Sequence, residues 1–99
     1  MRPQGQNGKG ADAPDRKGEA ETLALMALGW TLADAARADR LLALTGLDAD
    51  TLRGGIGDAA VLSAVLAFLA DHEPDLIACA ADVGASPEAL IAARDELTT

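Results

Sequence analysis

Apolar helical runs and short polar breaks alternate along the chain, and one pattern of break occurs twice. An apolar run ends at Gly46 and a capping residue follows at Asp48; another run ends at Gly84 and a capping residue follows at Ser86. Glycine suits the left-handed position that ends a helix, and Asp or Ser accepts a hydrogen bond from the first turn of the next one. The pattern therefore predicts a helix, a sharp corner and a second helix, used twice.

The spacing of apolar positions predicts two long helices at the centre of the domain, over about residues 19–36 and 59–71. Shorter helical segments are expected over about 39–45, 48–53 and 75–82, and a last helix opens at Ser86. No run alternates with the period of a strand, and β-branched residues are few. We therefore predict a compact all-α bundle of five or six helices. Its halves could be a pseudo-duplication, or two stretches of a small Ala/Leu bundle that follow the same capping rules.

Composition divides the chain into a tail and one domain. Residues 1–18 contain four glycines and two prolines and almost nothing apolar. Such a segment buries too little surface to offset its ordering entropy, so residues 1–18 are predicted to be a disordered tail, with no apolar core of a secretory signal. Residues 19–99 are predicted to be a single helical domain. Its longest apolar run, residues 59–70, is too short to span a membrane.

The charge of the domain limits its partners. Residues 19–99 hold four arginines against fourteen acidic residues, a net charge of −10 within a chain whose total is −8. A surface this acidic repels the phosphates of nucleic acids and anionic lipids. The helix after Asp58 also lacks the basic outer face that a recognition helix needs. We therefore expect no nucleic acid and no membrane as a partner.

Candidate chemistry is sparse. His72 is the only histidine and Cys79 the only cysteine, so no set of ligands for a metal is evident, and no cofactor is expected. Cys79 lies in an apolar helix, where a thiol behaves as inert packing. Asp71, Glu73 and Asp75 surround a proline turn and are best interpreted as a solvated loop. An enzyme that uses these three carboxylates is the least favoured of the hypotheses.

Several segments carry a family resemblance: the corner at residues 44–47, the helix over residues 65–71, and the isolated residues Trp30, Arg53 and Arg94. With these the chain resembles a short all-helical bacterial family known only as a domain of unknown function, over about residues 20–97. The resemblance implies an α-helical fold and a bacterial cytosol. The family has no assigned activity, so the resemblance identifies no functional residue in this chain.

The leading functional hypothesis is a non-enzymatic, cytosolic protein-interaction or regulatory adaptor module. The domain has many apolar side chains for its size. Those that the core does not need could form a homodimer interface or a groove for the helix of an unknown protein partner. The residues expected to line that groove are Leu25, Leu28, Leu32 and Phe68. Some of the four should then be exposed in a monomer.

The alternative is a small-molecule-binding domain with a pocket beside Trp30. Arg37 or Arg40 would anchor an anionic group of the ligand there. Arg53 and Arg94 hold nearly matching places after the two corners, and we expect them to pair with acidic residues across the two halves. Gly29 is expected to allow close packing opposite Trp30.

Overall fold

The computed structural model describes residues 8–55 and 57–98, with side chains from Arg16 onward, and every element in this part of the chain is an α-helix. The six helices are α1 (Gly8–Leu32), α2 (Ala35–Thr45), α3 (Ala49–Gly54), α4 (Ala59–Ala70), α5 (Glu73–Val83) and α6 (Pro87–Thr98). The predicted all-α bundle of five or six helices is confirmed.

The first helix differs most from its predicted bounds of about 19–36. It begins at Gly8, so residues 8–18 of the predicted tail form its first part, while residues 1–7 lie outside the described residues. It ends at Leu32, because the Asp34 side chain accepts a hydrogen bond from the Arg37 backbone N–H at 3.0 Å and opens α2 there. The tail was predicted from composition alone, and composition takes no account of the adjoining packed helix.

Both predicted glycine corners are present. Gly46 and Gly84 have φ values of 74° and 75°, the left-handed conformation that a Cβ disfavours. The Gly46 N–H donates to Leu42 O at 3.0 Å, and the second corner is closed by the Ala85 N–H, which donates to Ala80 O at 2.8 Å. These bonds satisfy carbonyls that the ends of α2 and α5 would otherwise leave without a partner.

The two halves share this local order but not their packing. Asp48 caps α3 and Ser86 caps α6, each by accepting a backbone N–H from the residue three positions on. α3 buries only Leu52, whereas α6 buries three side chains and packs against both α1 and α4. The two halves therefore repeat the order and the capping of their helices, but corresponding helices do not occupy equivalent positions in the fold.

α4 lies at the centre of the molecule. A helix that is apolar on every side requires burial on every side, and α4 is apolar except for Ser63, which is itself buried. Its neighbours are α1, α2, α5 and α6. Its large buried side chains are Val61, Leu62, Val65, Leu66, Phe68 and Leu69. The two predicted central helices, α1 and α4, are thus joined by α6, which packs against both.

The side of α1 that faces the core is made mostly of small residues, Ala20, Ala24, Ala27, Leu28 and Thr31. The Thr31 hydroxyl is accommodated there because it donates to Ala27 O at 2.8 Å. Small side chains let neighbouring helices approach closely. Gly29 is not part of this contact: a Cβ at that position would have no neighbour within 4 Å, so the expected close packing at Gly29 is wrong.

No single helix in the described part of the chain is long and apolar enough to span a membrane; α5 and α6 together meet the length and composition, but they form a bend of 97°.

Candidate functional site

The ends of α1 and α2 and the short helix α3 enclose an apolar cleft of about 280 Å³. The cleft is formed because α1 ends at Leu32 and α2 turns back beside it, while the corner at Gly46 brings α3 across the opening. Its lining consists of Leu28, Leu32, Ala38, Leu42, Ala49, Leu52 and Arg53. We refer to these seven residues as the α1–α3 cleft.

Two of the four side chains predicted to form a partner surface are open to solvent. Leu25 is 41% exposed and Leu32 is 44% exposed, although both are large and apolar. Leu28 lies between them on the same ridge of α1, since residues three and four apart on a helix share a face. It is 5% exposed and forms the floor of the cleft. The ridge of Leu25, Leu28 and Leu32 therefore leads from the surface of α1 into the cleft.

Phe68, the fourth residue of that prediction, is not part of this surface. It is 4% exposed, and it borders a different depression between α2 and α4 that also contains Leu44 and His72. The ring centroids of Phe68 and His72 are 4.9 Å apart, and His72 Nδ1 lies 3.0 Å from Phe68 O. A carbonyl oxygen only accepts, so Nδ1 carries the proton in this contact. His72 thus closes the carboxyl end of α4 and precedes α5.

Most of the charged residues close in sequence to the lining of the α1–α3 cleft are acidic. Asp39, Asp48 and Asp50 are exposed and adjacent to a lining residue, and Asp34, two residues after Leu32, is half-buried. Arg37 and Arg40 lie equally close in sequence, but Arg37 lies over the Trp30 ring and Arg40 is paired with Asp75. Arg53 is the single cation of the lining, and its Nη2 lies 2.6 Å from Asp50 Oδ1. The cleft is therefore an apolar floor whose rim carries a small excess of negative charge.

Asp48 remains ionised on this rim. The backbone N–H of Thr51 donates to its carboxylate at 2.7 Å, and this hydrogen bond lowers the pKa of Asp48 below its ordinary value of 3.8. Hydrogen bonds to the charged form of a carboxyl group favour ionisation. The negative charge beside Ala49 thus persists to lower pH than that of an aspartate without this hydrogen bond.

Sequence reasoning missed the second wall of the cleft, which Leu42 and Leu52 provide. Leu52 is buried and Leu42 is partly buried. Helical periodicity distinguishes an apolar face from a polar one, but it does not tell which apolar side chain lies beside a gap. No signal in the sequence could have found these two residues.

The pocket predicted beside Trp30 is filled by the protein itself. The guanidinium carbon of Arg37 lies 3.7 Å from the centroid of the Trp30 ring, and Arg37 Nη2 donates to Trp30 O at 2.6 Å. The indole Nε1 of Trp30 donates to Asp82 Oδ2 on α5 at 2.6 Å. Trp30 thus fastens α1 to α2 and α5, and the Arg37 side chain covers the ring face on which a planar ligand would stack.

Arg40, the other expected anion anchor, also has a carboxylate of the protein as its partner. Its Nη2 lies 2.6 Å from Asp75 Oδ2, which joins α2 to α5 across the two halves. Arg53 and Arg94 were expected to make such links, but they pair with Asp50 and Asp95 of their own helices. The expectation for Arg53 and Arg94 is therefore wrong, and Arg40 makes the connection instead.

The acidic residues around His72 do not converge. Asp71 and Glu73 are exposed, and Asp75 is directed to Arg40. Within the described residues, no group of three or more His, Cys, Asp or Glu side chains is placed to hold a metal ion. Cys79 is fully buried, and burial, with a further contribution from the Asp82 carboxylate, raises the pKa of its thiol to about 11.

Residues 17–99 match the model of a family described as Protein of unknown function (DUF3572). No curated protein and no solved structure matches the chain.

Proposed function

The chain belongs to the DUF3572 family, and we propose that it acts as a non-enzymatic protein-interaction module, a regulatory adaptor of the bacterial cytosol. The observation that carries this proposal is the α1–α3 cleft, with Leu25 and Leu32 exposed on the ridge that leads into it. Large apolar side chains grouped at a concave surface are typical of protein-binding sites.

The chemistry of the cleft supports binding over catalysis. Its lining has six apolar residues and Arg53, whose guanidinium is already paired with Asp50. A catalytic site brings together a nucleophile, a base or a charge-stabilising donor within reach of one another. The cleft offers apolar area and shape, which are the properties used to bind another polypeptide.

The proposal is tested by capturing partners of the full chain from the cytosol of its own cell, beside a Leu32→Ser variant. Leu32 is mostly a surface residue, so this change removes apolar area from the cleft at little cost in stability. Ile77→Ser is the matched control, because Ile77 is 52% exposed and lies on α5, outside the cleft. We expect a set of proteins that is retained by the chain and by the Ile77 variant and is lost with the Leu32 variant.

Equal capture by all three proteins would contradict the proposal, and so would a chain that retains nothing. Light scattering of the purified chain belongs to the same test. A dimer that becomes a monomer on Leu32→Ser would identify a second copy as the partner at this surface.

A further inference from the structure

We infer that the α1–α3 cleft receives a cationic amphipathic helix of another protein. This inference rests on the proposed function and names the class of its partner. Two observations on the described residues carry it: the shape of the apolar ridge and the sign of the charges around it.

The apolar residues of the ridge have the same spacing as the apolar residues of a helix that docks against it. Leu25 and Leu32 are seven residues apart, or about 10 Å along α1, with Leu28 between them at the floor of the cleft. A helix laid against α1 presents its own apolar residues at the same interval of two turns. The stretch from Thr22 to Ala33 contains no charged residue, so the contact itself would bury no unpaired charge.

The charges that border the ridge select for cations. Asp34, Asp39 and Asp48 stand close in sequence to the lining of the cleft. Arg53 and Asp50 neutralise each other, while Arg40 is paired with Asp75 and Arg37 lies over the Trp30 ring. The chain as a whole carries −8. Lys or Arg residues that flank the apolar face of a partner helix would meet this rim with complementary charge, which accelerates association and suppresses acidic competitors.

The same charges disfavour a second copy of the chain. A symmetric contact through the cleft would bring the acidic rims of two copies together, and like charges across an interface oppose association. The exposed apolar area is also small, since only Leu25 and Leu32 are large and open on this ridge. A stable dimer generally buries about 800 Å² on each partner.

The test uses a synthetic amphipathic peptide of about 18 residues, with leucines at the spacing of a single helical face and lysines elsewhere. Two matched peptides accompany it: a scrambled peptide of the same composition, and a peptide in which every Lys is Glu. Binding of each labelled peptide to the full chain is followed by fluorescence anisotropy at about 50 and about 300 mM salt.

We expect the Lys/Leu peptide to bind more tightly than the scrambled and the Glu peptides, with weaker binding at the higher salt concentration. Leu32→Ser should raise its Kd at least about fivefold, as expected for an apolar anchor, whereas Ile77→Ser should leave it within about twofold. The double change Asp39→Asn and Asp50→Asn should raise the Kd at low salt and reduce the salt dependence. Its control is Asp71→Asn with Glu88→Gln, which removes the same charge from exposed positions outside the cleft.

Each contrary result separates the two proposals. Binding of the Glu peptide as tightly as the Lys peptide, or a Kd unchanged by Leu32→Ser, would overturn the cationic partner. If the scrambled peptide bound equally well, attraction to net charge alone would explain the data and the inference would fail. The proposed function would still be supported after any of these results if capture of proteins from the cytosol depended on Leu32. It would be contradicted only by capture that does not depend on Leu32.

Discussion

Gly55 lies where the end of α3 meets the first turn of α4. A Cβ built there would be 2.7 Å from Val61 Cγ2 and 2.9 Å from Thr51 O. Both distances are shorter than non-bonded carbon contacts allow, and one of the two atoms belongs to the backbone. At the scale of single residues, Gly55 is therefore, among the described glycines from Gly18 onward, the one at which an added methyl group would meet neighbouring atoms.

We expect Gly55→Ala to lower the free energy of unfolding by about 1–3 kcal/mol, because the added methyl group overpacks the α3–α4 junction. Gly54→Ala is the control, since a Cβ at Gly54 meets nothing within 4 Å. Urea melts of both variants followed by circular dichroism measure the difference. Equal stability of the two variants would show that the junction yields without cost.

A second prediction at this scale concerns Cys79. Because its thiol is buried and its pKa is raised to about 11, it should not react with a thiol reagent at about pH 8 until the protein is unfolded. The raised pKa favours the neutral thiol in the folded state. Its contribution to stability is therefore complete below the ordinary thiol pKa of 9.0 and is lost as the pH rises through about 11. Rapid labelling of the native protein would contradict this picture.

At the scale of elements, the junction of α1, α2 and α5 depends on Trp30 and Arg37. Arg37 lies over the Trp30 ring and donates to Trp30 O, so a cation meets the carboxyl end of α1. Arg37 Nε is buried and has no hydrogen-bond partner among the described residues, so its guanidinium is held by the ring stacking and the Nη2 contact.

We expect Arg37→Lys to lower the free energy of unfolding by about 1–2 kcal/mol, because an ammonium group cannot stack on the ring as a planar guanidinium does. Exposure of the ring should also shift the Trp30 emission to longer wavelength. Arg53→Lys is the control, since the exposed Arg53–Asp50 pair should contribute little. If neither the Trp30 emission nor the free energy of unfolding changed in the Arg37 variant, the stacked Trp30–Arg37 pair would not contribute to stability.

At the scale of the whole molecule, burial divides side chains that look equivalent along the chain. Leu41 and Leu44 stand on the same helix, yet Leu41 is 0% exposed and Leu44 is 63% exposed. Leu41 belongs to the core that α1, α2 and α4 share, whereas Leu44 faces solvent beside the Phe68–His72 depression. The position of α4 at the centre of the bundle decides which of the two is enclosed.

We expect Leu41→Ala to lower the free energy of unfolding by about 2–5 kcal/mol, through lost burial and the cavity left behind. Leu44→Ala should change it by less than about 0.5 kcal/mol, since it removes a surface side chain. Thermal and urea unfolding of the two variants make the comparison. Similar losses for both would mean that Leu44 is enclosed in solution, as a self-associated surface would require.

Much of the fold was accessible from local signals. The glycine corners, the Asp and Ser caps and the apolar length of α4 were all predicted, because each depends on a few neighbouring residues and on backbone geometry. The candidate site was accessible only in part. Leu25, Leu28 and Leu32 were predicted from their shared face, but Phe68 was grouped with them wrongly, since sequence alone does not tell which faces of two helices meet.

The sequence by itself determined the all-helical class, the order of the helices, the two glycine corners and the acidic net charge of the chain. These properties follow from propensities, caps and charges that act within a few residues. Only the tertiary structure decided that α1 packs through its alanines while Leu25 and Leu32 stay outside, and that Arg37 fills the space beside Trp30. Those outcomes depend on the shapes of distant segments, because close packing selects among apolar faces that the periodicity of the sequence leaves equivalent.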